Sequence, residues 1–147
     1  MKKGWFLILA CFAMLSGPVL AKPYETFGDY KVFYTVFNSS FIKPEIARAY
    51  NITRGGNQVL VNVSVIKSSP EGDSLGLAAK VKGTATNLMQ QQRQLDFLEI
   101  KEQNAVYYLA PLRITDEEVM NFRIDVETAA GQRPLNLKFT KTLYIDR

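Results

Sequence analysis

The run Gln58 to Ile66, QVLVNVSVI, alternates with a period of two. Val59, Val61, Val63 and Val65 fall on one side, and Asn62 and Ser64 on the other. Side chains along a strand point alternately to opposite faces, whereas a helix places residues three and four apart on one face. The run therefore predicts a half-buried strand. A chain built from such runs must stack the apolar face of one sheet on another.

The same period recurs along the chain. Tyr30 to Phe37 is aromatic and β-branched on both faces and reads as a central strand covered on both sides. Leu77 to Thr86 is weaker: Lys80 and Lys82 flank Val81, and Gly83 invites a bulge, so it reads as an edge strand. Arg93 to Lys101 puts Leu95 and Phe97 on one face but Leu98 and Ile100 on the other, a phase slip read as a bulge within one strand. Ala105 to Leu109 reads as a short strand ended by Pro111. In Val119 to Val126, Met120, Phe122, Ile124 and Val126 face inward, and Asn121, Arg123 and Asp125 outward. Ala130-Gly131-Gln132 turns the chain, and Leu135, Leu137, Phe139, Leu143 and Ile145 complete a hairpin. About seven strands with turn signals between them define an all-β class, a single immunoglobulin-like β-sandwich, with a small barrel as the alternative. The Cys…Trp…Cys pattern of true immunoglobulin domains is missing, so the likeness is one of architecture.

The N-terminus reads differently. Lys2 and Lys3 precede an apolar run from Trp5 to Leu15, Ser16-Gly17-Pro18 breaks it, and Val19-Leu20-Ala21 offers small residues for cleavage after Ala21. That is the layout of a secretory signal peptide, residues 1–21, and it predicts export to the periplasm. The run is too short for a transmembrane helix, which needs about 20 apolar residues. A lipidated Cys11 fits poorly, because Leu9 is bulky and the apolar run continues past the cysteine. The expected mature domain is 22–147.

Loss of residues 1–21 removes the only Cys and the only Trp, and the chain has no His. Without Lys2 and Lys3 the 18 basic residues become 16 against 14 acidic ones, a net charge near +2. No clustered basic face suggests nucleic acid as a partner. An exported chain without disulfides must take its stability from its core.

One segment interrupts the β pattern: Asn38 to Ile52, NSSFIKPEIARAYNI. Pro44 suits the first helical position, and Lys43 before it is driven toward extended geometry. Glu45 in the first turn and Arg48 toward the last suit the helix dipole. Asn51 fits a left-handed C-terminal position. A helix of about seven residues cannot stand alone and must dock. Ile46, Ala49 and Tyr50 form its expected apolar stripe. One reading is a helical plug that covers one end of the sandwich while the chain changes sheet. The other is a binding site in which Asn38, Ser39 and Ser40, with Lys43 and Glu45, line a polar recess at the mouth of the sandwich. Asn and Ser are also ordinary turn formers, which favours the first.

The segments YETFGDYKVFYTVFNSSFIKPEIARAYNI and GQRPLNLKFTKTLY resemble a family of small exported Gram-negative bacterial proteins classed as a domain of unknown function. The likeness spans nearly all of the expected mature chain. It implies a periplasmic, β-rich single domain and brings no assigned activity.

The missing side chains restrict the chemistry. Without His, and with Cys11 in the leader, there is no Ser-His-Asp triad, no thiol nucleophile, and no metal site of the usual zinc or copper kind. The acidic run Asp116-Glu117-Glu118 lacks the alternating ligands and glycine of a calcium loop. Tyr24, Tyr107 and Tyr108 suit core packing or cross-strand pairing better than an exposed patch. The expected function is a non-catalytic interaction module of the cell envelope, without cofactor or metal, that binds another envelope protein. The alternatives are a carrier of a lipid-like ligand between the sheets and, less favoured, an enzyme.

Overall fold

The computed structural model describes residues 24–128 and 132–147. The proposed signal peptide, and Ala130 and Gly131 of the expected turn, lie outside the described residues. The described residues form ten strands in order: β1 (Tyr24–Phe27), β2 (Tyr30–Asn38), β3 (Gln58–Ser69), β4 (Gly72–Asp73), β5 (Lys80–Asn87), β6 (Gln92–Leu95), β7 (Leu98–Glu102), β8 (Ala105–Arg113), β9 (Glu118–Glu127) and β10 (Leu135–Leu143). A 3-10 turn (Ser39–Phe41) and a short helix, α1 (Pro44–Ala49), follow β2.

Two antiparallel sheets pack face to face. One is six-stranded, ordered β1-β2-β3-β8-β7 with β4 paired to β3; the other is four-stranded, ordered β10-β9-β5-β6. The all-β sandwich is the fold expected from the alternating runs. Val32, Val59, Val61, Val63, Val65 and Ala110 of the larger sheet meet Ala85, Leu95, Met120, Phe122, Ile124, Val126 and Leu137 of the smaller. Removing a side chain the size of Phe122 from water is worth about 1.5–3 kcal/mol. Along one side, Tyr34 stacks on Phe139 at 4.4 Å and Phe139 on Phe122 at 4.7 Å, so an aromatic column joins the sheets.

Several local expectations change. The phase slip at Phe97 is not a bulge. The chain leaves the smaller sheet at Leu95 and enters the larger one at Leu98. Leu95 therefore faces the core between the sheets, while Ile100 is buried on the outer face of the larger sheet. β5 is not an edge strand, because β9 and β6 flank it. Nor does Gly83 make a bulge, for the register runs unbroken from Lys80↔Glu127 to Asn87↔Met120. A Cβ on Gly83 would lie 2.7 Å from the carbonyl oxygen of Arg123, so the glycine permits a close strand approach. β8 continues through Pro111 to Arg113, because its pairing with β7 ends at Leu109 and the proline sits beyond that neighbour. β2 is interior but not covered evenly: Val32 and Val36 are buried, Thr35 on the other face is exposed, and Phe33 is covered by Tyr24 at 5.1 Å.

α1 begins at Pro44 behind an extended Lys43, and Asn51 takes a φ of 56°, as the sequence predicts. Its place differs from the expected plug. β2 and β3 are neighbours in one sheet, so the chain does not change sheet here. Instead α1 folds back over the outer face of that sheet. Ala47, not Ala49, is the buried helical residue. With Ile42, Ile46, Tyr50 and Ile52 it covers Phe37, Leu60, Ile100, Tyr107 and Leu109, a second apolar cluster. The Ser74–Ala79 strap packs instead on the core between the sheets, with Leu77 and Ala79: Leu77 N–H donates to the Val65 carbonyl at 2.8 Å, and Ala79 N–H to the Tyr108 hydroxyl at 2.7 Å.

Candidate functional site

The polar step after β2 is packed into the fold. Asn38 is 8 % exposed and Ser39 0 %. Asn38 Nδ2 donates to the Gly56 carbonyl at 2.6 Å, and its Oδ1 accepts from Ser40 N–H at 2.9 Å. Ser39 Oγ donates to the Gly55 carbonyl at 3.0 Å and accepts from Gly55 N–H at 2.8 Å. Ser40 Oγ donates to the Asp146 carboxylate, and the Ser40 carbonyl accepts from Arg54 at 2.8 Å. These bonds tie the end of β2 to the loop before β3 and to the C-terminal segment. They occupy the groups that a ligand would need. Lys43 and Glu45 are exposed on α1 and its N-cap. The structure thus brings Asn38, Ser39 and Ser40 together as a structural tie and leaves Lys43 and Glu45 on the surface.

Asp116 anchors the same end. Its Oδ1 accepts from Ile145 N–H at 3.0 Å and its Oδ2 from Arg147 at 2.8 Å. The Ile145 amide, aided by Arg147, holds this carboxyl below the usual carboxylate range. The expected acidic run is therefore not one cluster: Glu118 turns away to accept from Thr115 N–H at 3.1 Å and from Asn87 at 3.1 Å.

Both sheets end together here. Phe41, Leu88, Met89 and Tyr144 all follow strands that terminate at this end, and they are 74 %, 69 %, 78 % and 61 % exposed. Asn87 fixes the Leu88–Met89 turn: its Oδ1 accepts from Met89 N–H and Gln91 N–H, each at 3.0 Å.

The outer face of the four-stranded sheet carries a second feature. Registers across β6, β5, β9 and β10 align its outward side chains in rows: Gln92–Thr86–Asn121–Thr140, then Gln94–Thr84–Arg123–Lys138, then Lys82–Asp125–Asn136. The first row and Thr84, Arg123 and Lys138 of the second line an open cavity of about 550 Å³, together with Gln90. A second cavity of about 470 Å³ continues it over the lower rows and includes Asp125. Gln90 takes a φ of 62°, a left-handed conformation uncommon for a residue with a side chain. Sequence reasoning identified Asn121, Arg123 and Asp125 as outward but could not assemble the rows, because the partners β5 and β6 lie far off in sequence.

Comparison with known proteins adds a family. The model of the DUF4426 family, a domain of unknown function, matches residues 24–146. The chain belongs to that family. A DUF4426 family protein from Pseudomonas aeruginosa PAO1 has a crystal structure with a TM-score of 0.75 and 33 % identity, over 84 % of this chain and 95 % of that one. FetP of uropathogenic Escherichia coli F11 matches with a TM-score of 0.60 and 7 % identity, over 84 % of this chain and 94 % of that one. A copper-bound variant of FetP matches with a TM-score of 0.58, 7 % identity, and coverage of 84 % and 90 %. At such identity FetP is similar in fold alone. No curated protein matches the chain.

Proposed function

We propose that this DUF4426 member is an exported, non-catalytic interaction module that binds another protein of the cell envelope. The observation that carries the reading is the gathering of Phe41, Leu88, Met89 and Tyr144, all more than 60 % exposed, at one end of the sandwich. Exposed apolar residues scattered singly are normal, whereas several at one end of a fold suit a protein contact. The polar tie at Asn38–Ser40 and the Asn87 turn hold their backbones in place, so binding costs little ordering. Export to the periplasm rests on residues 1–21, with their charged start, apolar run and small residues before the expected cleavage point. Among the described residues no helix is long and apolar enough to cross a membrane.

A non-catalytic role is supported by the absence of His from the chain and by the place of its only Cys, Cys11, in the leader. The same inventory bears on copper, which one FetP structure contains. Imidazole and thiolate donors are missing from residues 22–147, and no three His, Cys, Asp or Glu come together among the described residues. The donor set does not fit a copper site of imidazole or thiolate type.

The test is cross-linking of the full chain in cells, followed by recovery of partners. The wild-type protein is expected to yield a discrete envelope partner. A Phe41→Ser/Tyr144→Ser variant should lose it, while stability stays within about 0.5 kcal/mol per exposed site. Recovery of nothing above background, or of the same partner by the variant, overturns the reading.

A further inference from the structure

Arg123 on β9 lies directly opposite Lys138 on β10, and both point outward. Like charges directly opposed across a strand pair are destabilising, and nearby opposite charge normally relieves them. Among the described residues neither forms an ion pair. The cavity above them, about 550 Å³, is lined by no carboxylate. The acids of this face, Asp125 and Glu127, belong to the rows below; Asp125 lines the second cavity with Arg123 and Lys138, but among the described residues it pairs with neither. Around the two cations stand the hydroxyls of Thr84, Thr86 and Thr140 and the carboxamides of Asn121 and Gln92. Hydroxyl and carboxamide groups both donate and accept, as the hydroxyls of a sugar do. An apolar ligand finds little here.

We propose that this face binds an anionic saccharide, a hydroxyl-rich ligand bearing a carboxylate or a phosphate. Arg123 and Lys138 hold the anionic group between them. Thr84 and Gln92 exchange hydrogen bonds with the hydroxyls; the Thr140 hydroxyl, which donates to Asn121 Oδ1 at 2.5 Å, accepts from them, and Asn121 Nδ2 donates to them. Gln90, whose backbone is left-handed, limits the ligand where it lines the cavity. The bound anion removes the repulsion that the unliganded face carries, so the cost of the opposed cations returns as selectivity for charge. The site lies on the sheet face and meets the apolar end argued above at Met89–Gln90, but the two rest on different residues and each stands without the other.

The experiment is a titration of the ¹⁵N-labelled protein followed by backbone amide shifts. The probes are trigalacturonate, glucose 6-phosphate, neutral maltotriose and inorganic phosphate. Shifts are expected at Thr84, Asn121, Arg123, Lys138 and Thr140 with at least one of the two anionic sugars, and which one responds identifies carboxylate or phosphate as the anion. Maltotriose and inorganic phosphate should bind about tenfold more weakly or worse, since each lacks one half of the recognition. Arg123→Gln and Lys138→Gln should each weaken binding of the anionic sugar by about tenfold or more, the loss of one charged hydrogen bond. Each should also leave the unliganded thermal midpoint unchanged or raised, because it relieves the opposed charges. Absence of shifts on this face with both anionic sugars overturns the proposal. So does binding of maltotriose or of inorganic phosphate as tight as that of the anionic sugars. Phe41→Ser/Tyr144→Ser should leave the titration unchanged, which keeps failure here distinct from failure of the protein contact.

Discussion

The backbone N–H of Asp146 donates to the carbonyl of Gly56 at 2.9 Å, and the two backbones approach so closely that a side chain on Gly56 would collide with the Asp146 carbonyl oxygen. This contact joins the loop before β3 to the last residues of the chain. It lies beside the bonds from Asn38 to Gly56 and from Ser40 to Asp146. One end of the sandwich is thus closed by three segments that are far apart in sequence.

Gly56→Ala tests that closure. The obstacle is backbone, which cannot swing aside as a flexible side chain would. The substitution should cost about 1–3 kcal/mol, the usual range for forced overpacking. Urea unfolding measures it, and an unchanged midpoint would show that the C-terminal segment is not held as described.

Ser39→Ala separates a structural role from a binding role for the polar step. The change strands the Gly55 N–H, which the Ser39 hydroxyl now satisfies, and leaves the Gly55 carbonyl with Gln58 N–H at 3.3 Å as its remaining donor. Loss of about 1–3 kcal/mol of stability is expected. Lys43→Ala and Glu45→Gln, at exposed positions, should stay within about 0.5 kcal/mol. A stability profile in which Lys43 or Glu45 outweighs Ser39 contradicts this assignment.

Tyr108 gives the fold an alkaline signature. Burial, with the neighbouring Glu99 carboxylate, raises its phenol above the ordinary value, against a lowering by the Ala79 N–H. The neutral phenol is favoured in the folded state. Its contribution is therefore complete below the ordinary tyrosine range and is lost as pH rises through the folded value. Tyr108→Phe should lower stability near neutral pH, because Ala79 N–H loses its acceptor at 2.7 Å. The gap between variant and wild type should then narrow as pH climbs into the tyrosine range. Thermal midpoints across alkaline pH decide it; a constant gap removes the phenol from the account.

Asn62 is a place where the fold sacrifices stability. Among the described residues no group hydrogen-bonds its Oδ1, which is buried on the outer face of the larger sheet. Asn62→Val substitutes a β-branched apolar residue that suits a strand, and should raise stability by about 1 kcal/mol. Chemical denaturation of the two proteins side by side is the measurement, and a destabilised variant would refute the assignment.

The strands that the sequence located best are those whose two faces meet different surroundings. In β9, Met120, Phe122, Ile124 and Val126 are all buried and Asn121 and Arg123 exposed, as their alternation predicts. A single phase along one strand needs only local information. The slip at Phe97 was visible too, but a bulge and a change of sheet disturb the alternation alike. β1 is four residues long and half exposed, and β4 is two residues long and exposed, so they leave little apolar period to read. The polar step at Asn38–Ser40 stands out in the sequence, yet its partners Gly55, Gly56 and Asp146 do not follow from spacing.

The sequence by itself determined the class of fold, the inward residues of β3, β9 and β10, the start of α1 at Pro44 and its end at Asn51. Each of these follows from side-chain period or from backbone restrictions at a few adjacent residues. Tertiary structure alone decided that β5 is interior, that α1 covers the outer face of the larger sheet, and that Arg123 stands opposite Lys138. Strand order and register depend on which apolar faces bury each other best across long loops, and that is a property of the whole chain.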